Sequence, residues 1–372
     1  MLTRNLRIRV DDSGVLEIID PGFDALPLLQ AVDPTFRIRS ASLPGFTAPR
    51  LRQARRTGCG VLADRLKDET EARLWDLHAA GVERLHSQSY ENEVSEGEAS
   101  LLALKIELAR RMLSPCRLCS HRCEVDRVRG ELGRCRLGLS AIVAEQMVHI
   151  AEEAPINPCL LLNLAGCGLR CRFCQQSDLL DPASVEGAPL DASLWDTLDT
   201  TGARSMAFAG GNPDESLYAI LQFLTTAPAD WSLPIVWNCH GAATLETVTL
   251  LDGIVDAYVP DFKYGADLCG RQLSGIADYP ATAQAAVAAM LAQGVPVIVR
   301  LLVLPGHGSC CHIPVLERLA SLAGTCLISV RAQYCPDFRV TSADGMMARR
   351  PTWEEVEVVR EKARQCGLRI IE

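Results

Sequence analysis

From residue 160 to the C-terminus, short apolar runs alternate with stretches in which apolar residues recur every three to four positions. That alternation is the signature of repeated βα units around a parallel sheet. Runs at 160–164, 205–209, 234–238, 257–262, 295–303 and 326–331 predict strands, and the segments 217–224, 243–251, 282–292, 313–323 and 352–365 predict helices. Six strands are too few for a closed eight-stranded barrel. Ligands of such sheets sit beyond the C-terminal ends of the strands, so the loop after each run is where chemistry is expected.

Residues 1–113 have a different texture. Strand-like runs at 6–10 and 15–19 lead to a loop around Leu43-Pro-Gly-Phe46 and then to charged helical sequence. Leu101, Leu104, Leu108 and Met112 recur at helix spacing, with Pro115 as a stop. A single apolar stripe is what any surface helix of a domain shows, so a packing helix is expected rather than an interface helix. The expected division is an N-terminal α+β extension over 1–113, a small Cys-rich metal-binding segment over 114–150 and an α/β domain over 151–372.

Composition then narrows the class. A chain of 372 residues with 48% hydrophobic residues can bury one full core and hold something smaller beside it. The net charge of −9 argues against the basic footprint of a nucleic-acid binder. No apolar run of about 18 residues is present, so no membrane span is read. The charges within Met1-Leu-Thr-Arg-Asn-Leu-Arg-Ile-Arg-Val10 do not suit an export signal. Sixteen cysteines in such a chain point to metal ligation in a reducing cytoplasm and not to a disulfide framework.

Two cysteine sets stand out. Cys167, Cys171 and Cys174 lie in Gly166-Cys-Gly-Leu-Arg-Cys-Arg-Phe-Cys-Gln175, directly after the first predicted strand. A [4Fe–4S] cluster on four cysteines is saturated and passes electrons, whereas three leave one iron open to a small molecule. The competing reading, a structural zinc knot, needs a fourth ligand nearby and usually pairs two C-x2-C knuckles. Upstream, Cys116, Cys119, Cys123 and Cys135 form a C-x2-C-x3-C-x11-C set, with Gly130 and Gly133 suited to the returning turn. Four-thiolate sites suit zinc or a second Fe–S cluster, and spacing alone separates neither from the other nor from four reduced structural thiols. His121 is a candidate replacement ligand or a supporting group.

With Phe173 just before its third cysteine, the C-x3-C-x2-C run resembles the radical S-adenosylmethionine (SAM) superfamily. The order of the upstream cysteines, Ala151-Glu-Glu-Ala-Pro-Ile156, the cysteine loop, Ile235-Val-Trp-Asn-Cys-His-Gly241 and Leu250-Leu-Asp-Gly-Ile-Val-Asp-Ala-Tyr-Val-Pro-Asp-Phe-Lys-Tyr264 looks like the PflX-like branch of pyruvate formate-lyase-activating-enzyme homologues. The resemblance runs from Cys116 to the C-terminus. It implies an open partial (βα)6 TIM-type barrel and a [4Fe–4S] cluster whose open iron is chelated by SAM. Reductive cleavage of SAM then yields methionine and a 5′-deoxyadenosyl radical that abstracts hydrogen.

Carried over by position, the resemblance implies a SAM pocket on successive strand ends. Gly210-Gly211-Asn212-Pro213 is similar to a Gly-Gly-Glu-Pro segment that holds the SAM amino group, with Asn212 where an acid is usual. An amide oxygen still accepts from an ammonium but lacks its charge partner. Asn238 matches a SAM-contacting position, Asp261 and Lys263 match an Asp-x-Lys segment in which the lysine neutralises the SAM carboxylate, and Arg300 matches a fifth-strand arginine. The plain alternatives are a surface salt bridge for Asp261 and Lys263 and an internal partner for Arg300.

Cys59, Cys159, Cys269, Cys326 and Cys366 read as isolated small hydrophobes. Cys310, Cys311 and Cys335 fall on loops after the fifth and sixth strands and are expected to face the cavity as hydrogen donors or substrate contacts. His240 and His307 are acid/base candidates by position. The expected protein is a cytoplasmic, oxygen-sensitive radical SAM oxidoreductase of the activating-enzyme type. It would act on a peptide or small metabolite, served by a reductant protein such as flavodoxin or ferredoxin. An activase for a glycyl-radical enzyme is the alternative, and a non-catalytic electron-transfer or metal-sensing Fe–S protein is the alternative from another class. No Arg-Val-x-Gly-Tyr segment is present, so the chain is not expected to store its own radical.

Overall fold

The computed structural model describes residues 8–10, 16–18, 46, 50–87 and 94–371. Strands β1 (Ile8–Val10) and β2 (Leu16–Ile18) pair antiparallel within the two expected runs; of the loop at 43–46, Phe46 alone lies within the described residues. Helix α1 (Arg50–Arg56), strand β3 (Gly58–Leu62), helix α2 (Glu71–Ser87), strand β4 (Glu98–Ser100) and helix α3 (Leu101–Arg111) follow. Ser100 caps α3 by accepting the Ala103 N–H at 3.1 Å. Leu101, Leu104, Leu108 and Met112 are all fully buried, as a packing helix requires.

The main sheet follows in chain order: β5 (Ile142–His149), β6 (Cys159–Leu164), β7 (Ala188–Pro189), β8 (Ser205–Gly210), β9 (Ile235–Cys239) and β10 (Ala257–Pro260). Strands β11 (Ile298–Leu302), β12 (Leu327–Arg331) and β13 (Arg369–Ile371) continue it. β6, β8, β9 and β10 are mutually parallel, as are β11, β12 and β13. Parallel bridges Tyr258–Val297 and Asp261–Arg300 join β10 to β11. Helices α4 (Leu217–Thr225), α5 (Leu245–Leu251), α6 (Asp267–Ser274), α7 (Tyr279–Ala292), α8 (Ile313–Ala320) and α9 (Trp353–Gln365) connect the strands. The protein is thus a mixed α/β structure built on parallel strands. Among the described residues no helix is long and apolar enough to cross a membrane.

Every residue of β6 is buried, which is how a parallel strand covered on both faces reads in sequence. Alternate residues serve two different cores. Leu160, Leu162, Phe208, Trp237, Tyr258, Val299 and Ile328 join the large outer core, while Cys159, Leu161, Ala207, Val236, Ala257, Ile298 and Leu327 form a small inner cluster. The outer core also takes in Leu51, Leu74, Leu104 and Leu108, so residues 50–113 and the sheet-bearing part share one apolar interior.

Among the elements that escape the apolar pattern are the strands β3, β4, β5, β7 and β13 and the helix α6. Helix α6 carries Gly270 at its centre, a residue that weakens helices by about 1 kcal/mol. An added Cβ there would stand 3.1 Å from the Ile276 carbonyl oxygen, so the glycine permits close packing.

Because the interior is shared, Leu104→Ala is expected to cost about 2–5 kcal/mol and to lower the midpoint of one cooperative thermal transition. Intrinsic fluorescence of Trp237, in the outer core, and far-ultraviolet dichroism should move together. If the tryptophan environment kept its original midpoint while helix content melted earlier, the shared interior would be refuted.

Candidate active site

A cavity of about 640 Å³ opens at the C-terminal ends of the parallel strands, within the range of about 300–1,000 Å³ usual for small-molecule sites. Its wall includes Cys167, Cys171, Phe173 and Cys174 from the loop after β6, Gly210, Gly211 and Asn212 after β8, Asn238 from β9, Asp261 and Lys263 after β10, and Arg300 from β11. All the residues expected to surround SAM therefore face one space, together with the triad. His240 lines it as well.

The cysteine loop is held from behind by close backbone packing. Gly210 has φ +88°, and a Cβ on Gly211 would fall 2.2 Å from the Gly166 carbonyl oxygen. Both positions are therefore closed to larger residues. Glu215, fully buried, accepts the Gly168 N–H at 2.9 Å and pairs with His240 Nε2 at 3.1 Å. Its other carboxylate oxygen accepts from the Asn212 amide, whose own oxygen accepts the His240 N–H at 2.9 Å. Burial alone would raise the Glu215 carboxyl, but the His240 imidazolium and these donors overcome it and bring it down to about 2. Burial would likewise lower His240, and the Glu215 and Asp214 carboxylates reverse that and raise it. Asn212 is therefore engaged at both ends of its amide by protein groups.

At the end of β10, the strand neighbouring β9, Lys263 pairs with Asp261. Although burial opposes its charge, Asp261, Cys171 and Cys167 raise Lys263 above its ordinary value. This pair lies inside the cavity and not on the surface. The Tyr279 hydroxyl sits 2.9 Å from the His240 carbonyl and 3.0 Å from that of Asp261, and accepts the Lys263 N–H at 3.0 Å. Arg300 finds the partner that an arginine in an apolar strand needs: its Nε and Nη2 donate to Glu153 at 2.6 Å, and Nη2 also donates to Glu152. Arg331 from β12 joins Glu153 at 2.9 Å. Two arginines thus face Glu152 and Glu153, and His149 Nδ1 also lies 2.9 Å from Glu152.

The triad thiols are crowded. Burial, then Glu215 and the two neighbouring thiols, raise Cys167 well above the ordinary value, and burial with Cys171 brings Cys174 up to about 11. The Ser274 hydroxyl at the end of α6 donates to Cys171 Sγ at 2.9 Å. Carbonyls of Leu273 and Ser274 receive the Arg172 and Arg170 N–H groups at 2.8 and 3.1 Å. Cys167 and Cys174 in this setting resist becoming thiolates without a cation beside them.

Cys116, Cys119 and Cys135 are buried behind the loop and Cys123 is half-buried. A Cβ on Gly168 would stand 3.6 Å from Cys119 Sγ and 3.0 Å from the His121 ring, so the upstream set abuts the triad loop. Arg134 ties them by donating to the Gly168 carbonyl at 2.9 Å. Cys310, Cys311 and Cys335 require a correction. They are not among the residues lining the cavity, because the chain after β11 folds into a tight turn at Gly308–His312 that aims Cys310 and Cys311 at α6. Cys269 and His307 are found there too, so Cys269 is not an isolated hydrophobe.

No family model matches the chain. The uncharacterized protein MJ0674 of Methanocaldococcus jannaschii is 29% identical over 307 residues, covering 80% of this chain and 89% of that protein. Two crystal structures of Streptococcus suis SuiB, one bound to S-adenosylmethionine, share 14% and 13% identity with TM-scores of 0.38 and 0.36. Each match covers 55% of this chain, which spans about half the length of SuiB, 47% and 46%.

Glu215 and Glu152-Glu153 are the site residues that sequence reading did not single out. The clue to Glu215 was a carboxylate three positions after Asn212, where an acid was missing from the expected motif. Glu215→Ala should cost about 3–5 kcal/mol, as breaking a buried pair does, read by anaerobic urea unfolding. Glu215 is depressed from 4.5, so its contribution is lost as pH falls toward about 2; His240 is raised from 6.5, so its contribution is lost as pH rises through that higher value. The gap between parent and variant should be widest between pH 4.5 and 6.5 and shrink on either side. A gap independent of pH would remove the charged pair from the explanation.

Proposed function

We propose that this chain is a radical SAM enzyme whose Cys167, Cys171 and Cys174 hold a [4Fe–4S] cluster and whose strand-end cavity receives SAM and a hydrogen-donating substrate. The observation that carries this reading is the convergence of Cys167, Cys171 and the half-buried Cys174 with Asn238, Asp261, Lys263 and Arg300 on one cavity of small-molecule size. The donor set fits the group. Three mutually repelling thiols gain from a cationic iron cluster, and with three protein ligands one iron is left open. When bound, such a cluster supplies the electron that splits SAM into methionine and a hydrogen-abstracting 5′-deoxyadenosyl radical.

The chain's own residues position the cofactor. Lys263, kept protonated by Asp261 and the thiols, offers a cation to the SAM carboxylate, and Asn238 offers an amide to a ribose hydroxyl or the methionyl group. Asn212 would reach the SAM amino group only by giving up its bond to His240 or Glu215. Arg300 would reach SAM only by loosening its bonds to Glu152 and Glu153. Ser274 moderates the Cys171 sulfur through its hydrogen bond.

The parallel run from β6 through β12, with residues of all six strands in the inner cluster, supports an open (βα)6 barrel over 151–372. We assign 114–150 as a separate metal-binding segment and 1–113 as an extension whose role is recognition or capping. Among the described residues, Cys116, Cys119, Cys123 and Cys135 are not gathered within 4.8 Å of one another. A single zinc with Zn–S of about 2.3 Å would require that segment to contract. The preferred substrate is a peptide or small metabolite, with a flavodoxin- or ferredoxin-type reductant; a glycyl-radical partner is the alternative.

Anaerobically reconstituted protein given a strong reductant should convert SAM to 5′-deoxyadenosine and methionine, followed by chromatography. Cys167→Ala, Cys171→Ala and Cys174→Ala should each abolish the conversion. Lys263→Ala should weaken SAM binding by about tenfold, the worth of roughly 1.4 kcal/mol. Parent-rate cleavage by the triple cysteine variant would defeat the reading. With substrates deuterated in turn, label entering 5′-deoxyadenosine from a protein glycine would establish the activase, and label from a free metabolite would exclude it for that reaction.

A further inference from the structure

A third group of metal-binding side chains lies off the cavity, between α6 and the turn that follows β11. His307, Cys310 and Cys311 occupy positions i, i+3 and i+4 of this turn, which places them on one face. Residues Gly308–His312 form a single π-turn, a local widening that recurs at functional sites. Cys269 of α6 meets them from across the gap. A Cβ on Gly265 would stand 2.5 and 3.0 Å from the carbonyl oxygens of Cys311 and Cys310, so the chain after β10 also presses on this turn. His312 is excluded from the group, because its Nε2 accepts the Leu304 N–H at 3.0 Å.

The spacings decide what the group can hold. The ligand atoms of Cys269, His307, Cys310 and Cys311 all lie within 4.8 Å of one another. Sulfur pairs Cys269–Cys310 and Cys310–Cys311 are 3.7 and 3.9 Å apart. From His307 Nδ1 to the sulfurs of Cys310, Cys269 and Cys311 the distances are 3.4, 3.7 and 3.8 Å. A tetrahedral zinc with Zn–S of about 2.3 Å and Zn–N of about 2.0–2.1 Å holds sulfurs about 3.8 Å from each other and about 3.6 Å from the nitrogen. Five of the six edges thus have the lengths of a zinc tetrahedron, and the sixth, Cys269–Cys311, is within 4.8 Å.

We infer that Cys269, His307, Cys310 and Cys311 bind one zinc ion through three thiolates and one imidazole nitrogen, in a closed site with a structural role. Four protein ligands leave no open position, which distinguishes a structural from a catalytic zinc. On binding, the three thiols release their protons to solvent and the sulfurs bond to the metal, with no change of oxidation state. The ion fastens α6 to the β11–α8 turn. Since Ser274 of the same helix holds Cys171 and the carbonyls of Leu273 and Ser274 hold the cysteine loop, the zinc fixes the helix against which the triad rests. This assignment stands independently of SAM chemistry.

The test is metal analysis of the full chain purified from zinc-replete cells. Relative to the parent, Cys269→Ser and Cys310→Ser should each lose one zinc per chain, while Cys171→Ser should keep it. Should the ligand variants fail to fold, the parent still decides. Zinc-edge X-ray absorption should show nitrogen beside sulfur in the shell, and cobalt substitution should give the visible bands of a tetrahedral thiolate site. Zinc content unchanged in both ligand variants, a shell of sulfur alone, or a Cys269–Cys310 disulfide found by mass spectrometry would overturn the assignment.

Discussion

The buried Glu215 carboxylate is the interaction on which the rest of the site depends. Its oxygens receive the Gly168 N–H from inside the cysteine loop, the Asn212 amide from the end of β8 and the His240 ring from the end of β9. Three consecutive strand ends are thereby tied to one charge. The Arg127 guanidinium reaches the Glu215 carbonyl at 2.8 Å, which brings the upstream cysteine segment into the same knot. A carboxylate at this depth is tolerated because its partners are charged or well-aimed donors. Its loss would free Gly168, which stands between the first two cysteines of the triad.

Much of this was legible in the chain itself. The six parallel strands announced themselves as apolar runs because both their faces are covered, and the observed ends agree with the expected ones within a few residues. The cysteine loop was legible from its place directly after an apolar strand, whereas Asn238, Lys263 and Arg300 were named only through the family resemblance. What remained hidden were pairings between residues distant in sequence. Glu152 and Glu153 stood out only as part of the motif 151–156, and their partners Arg300 and Arg331 lie about 150 to 180 positions on. Cys269 read as a lone hydrophobe because its companions lie 38 to 42 positions away. The π-turn is the physical reason Cys310 and Cys311 face away from the cavity, and no periodic pattern signals one extra residue in a helical turn.

The N-terminal segment gains significance from its packing. Helix α3 lies against α4, the helix after β8, with Leu104 and Leu108 in the core shared with Leu221 and Leu224. The Arg50 N–H also donates to Asp256 at 3.0 Å, whose other oxygen receives the Ile235 N–H at 2.7 Å. Residues 50–113 thus brace the outer side of the strands whose far ends carry the cavity. Such a brace stiffens the sheet without touching the chemistry.

Two groups of thiols in one small region invite confusion between chemistry and scaffold, and geometry separates them. The triad opens onto a cavity beside the Lys263 cation; it is arranged to receive something from outside. The set at Cys269 does not line that cavity, and its four donors lie within 4.8 Å of one another. Helix α6 carries one end of each arrangement, Cys269 and Ser274 being five residues or about 7.5 Å of helix apart. A helix of eight residues with a central glycine has little stability of its own. Fastening its first turn to a metal therefore sets the register of its last, and the Ser274 hydroxyl meets Cys171 where it does because the other end of the helix is held.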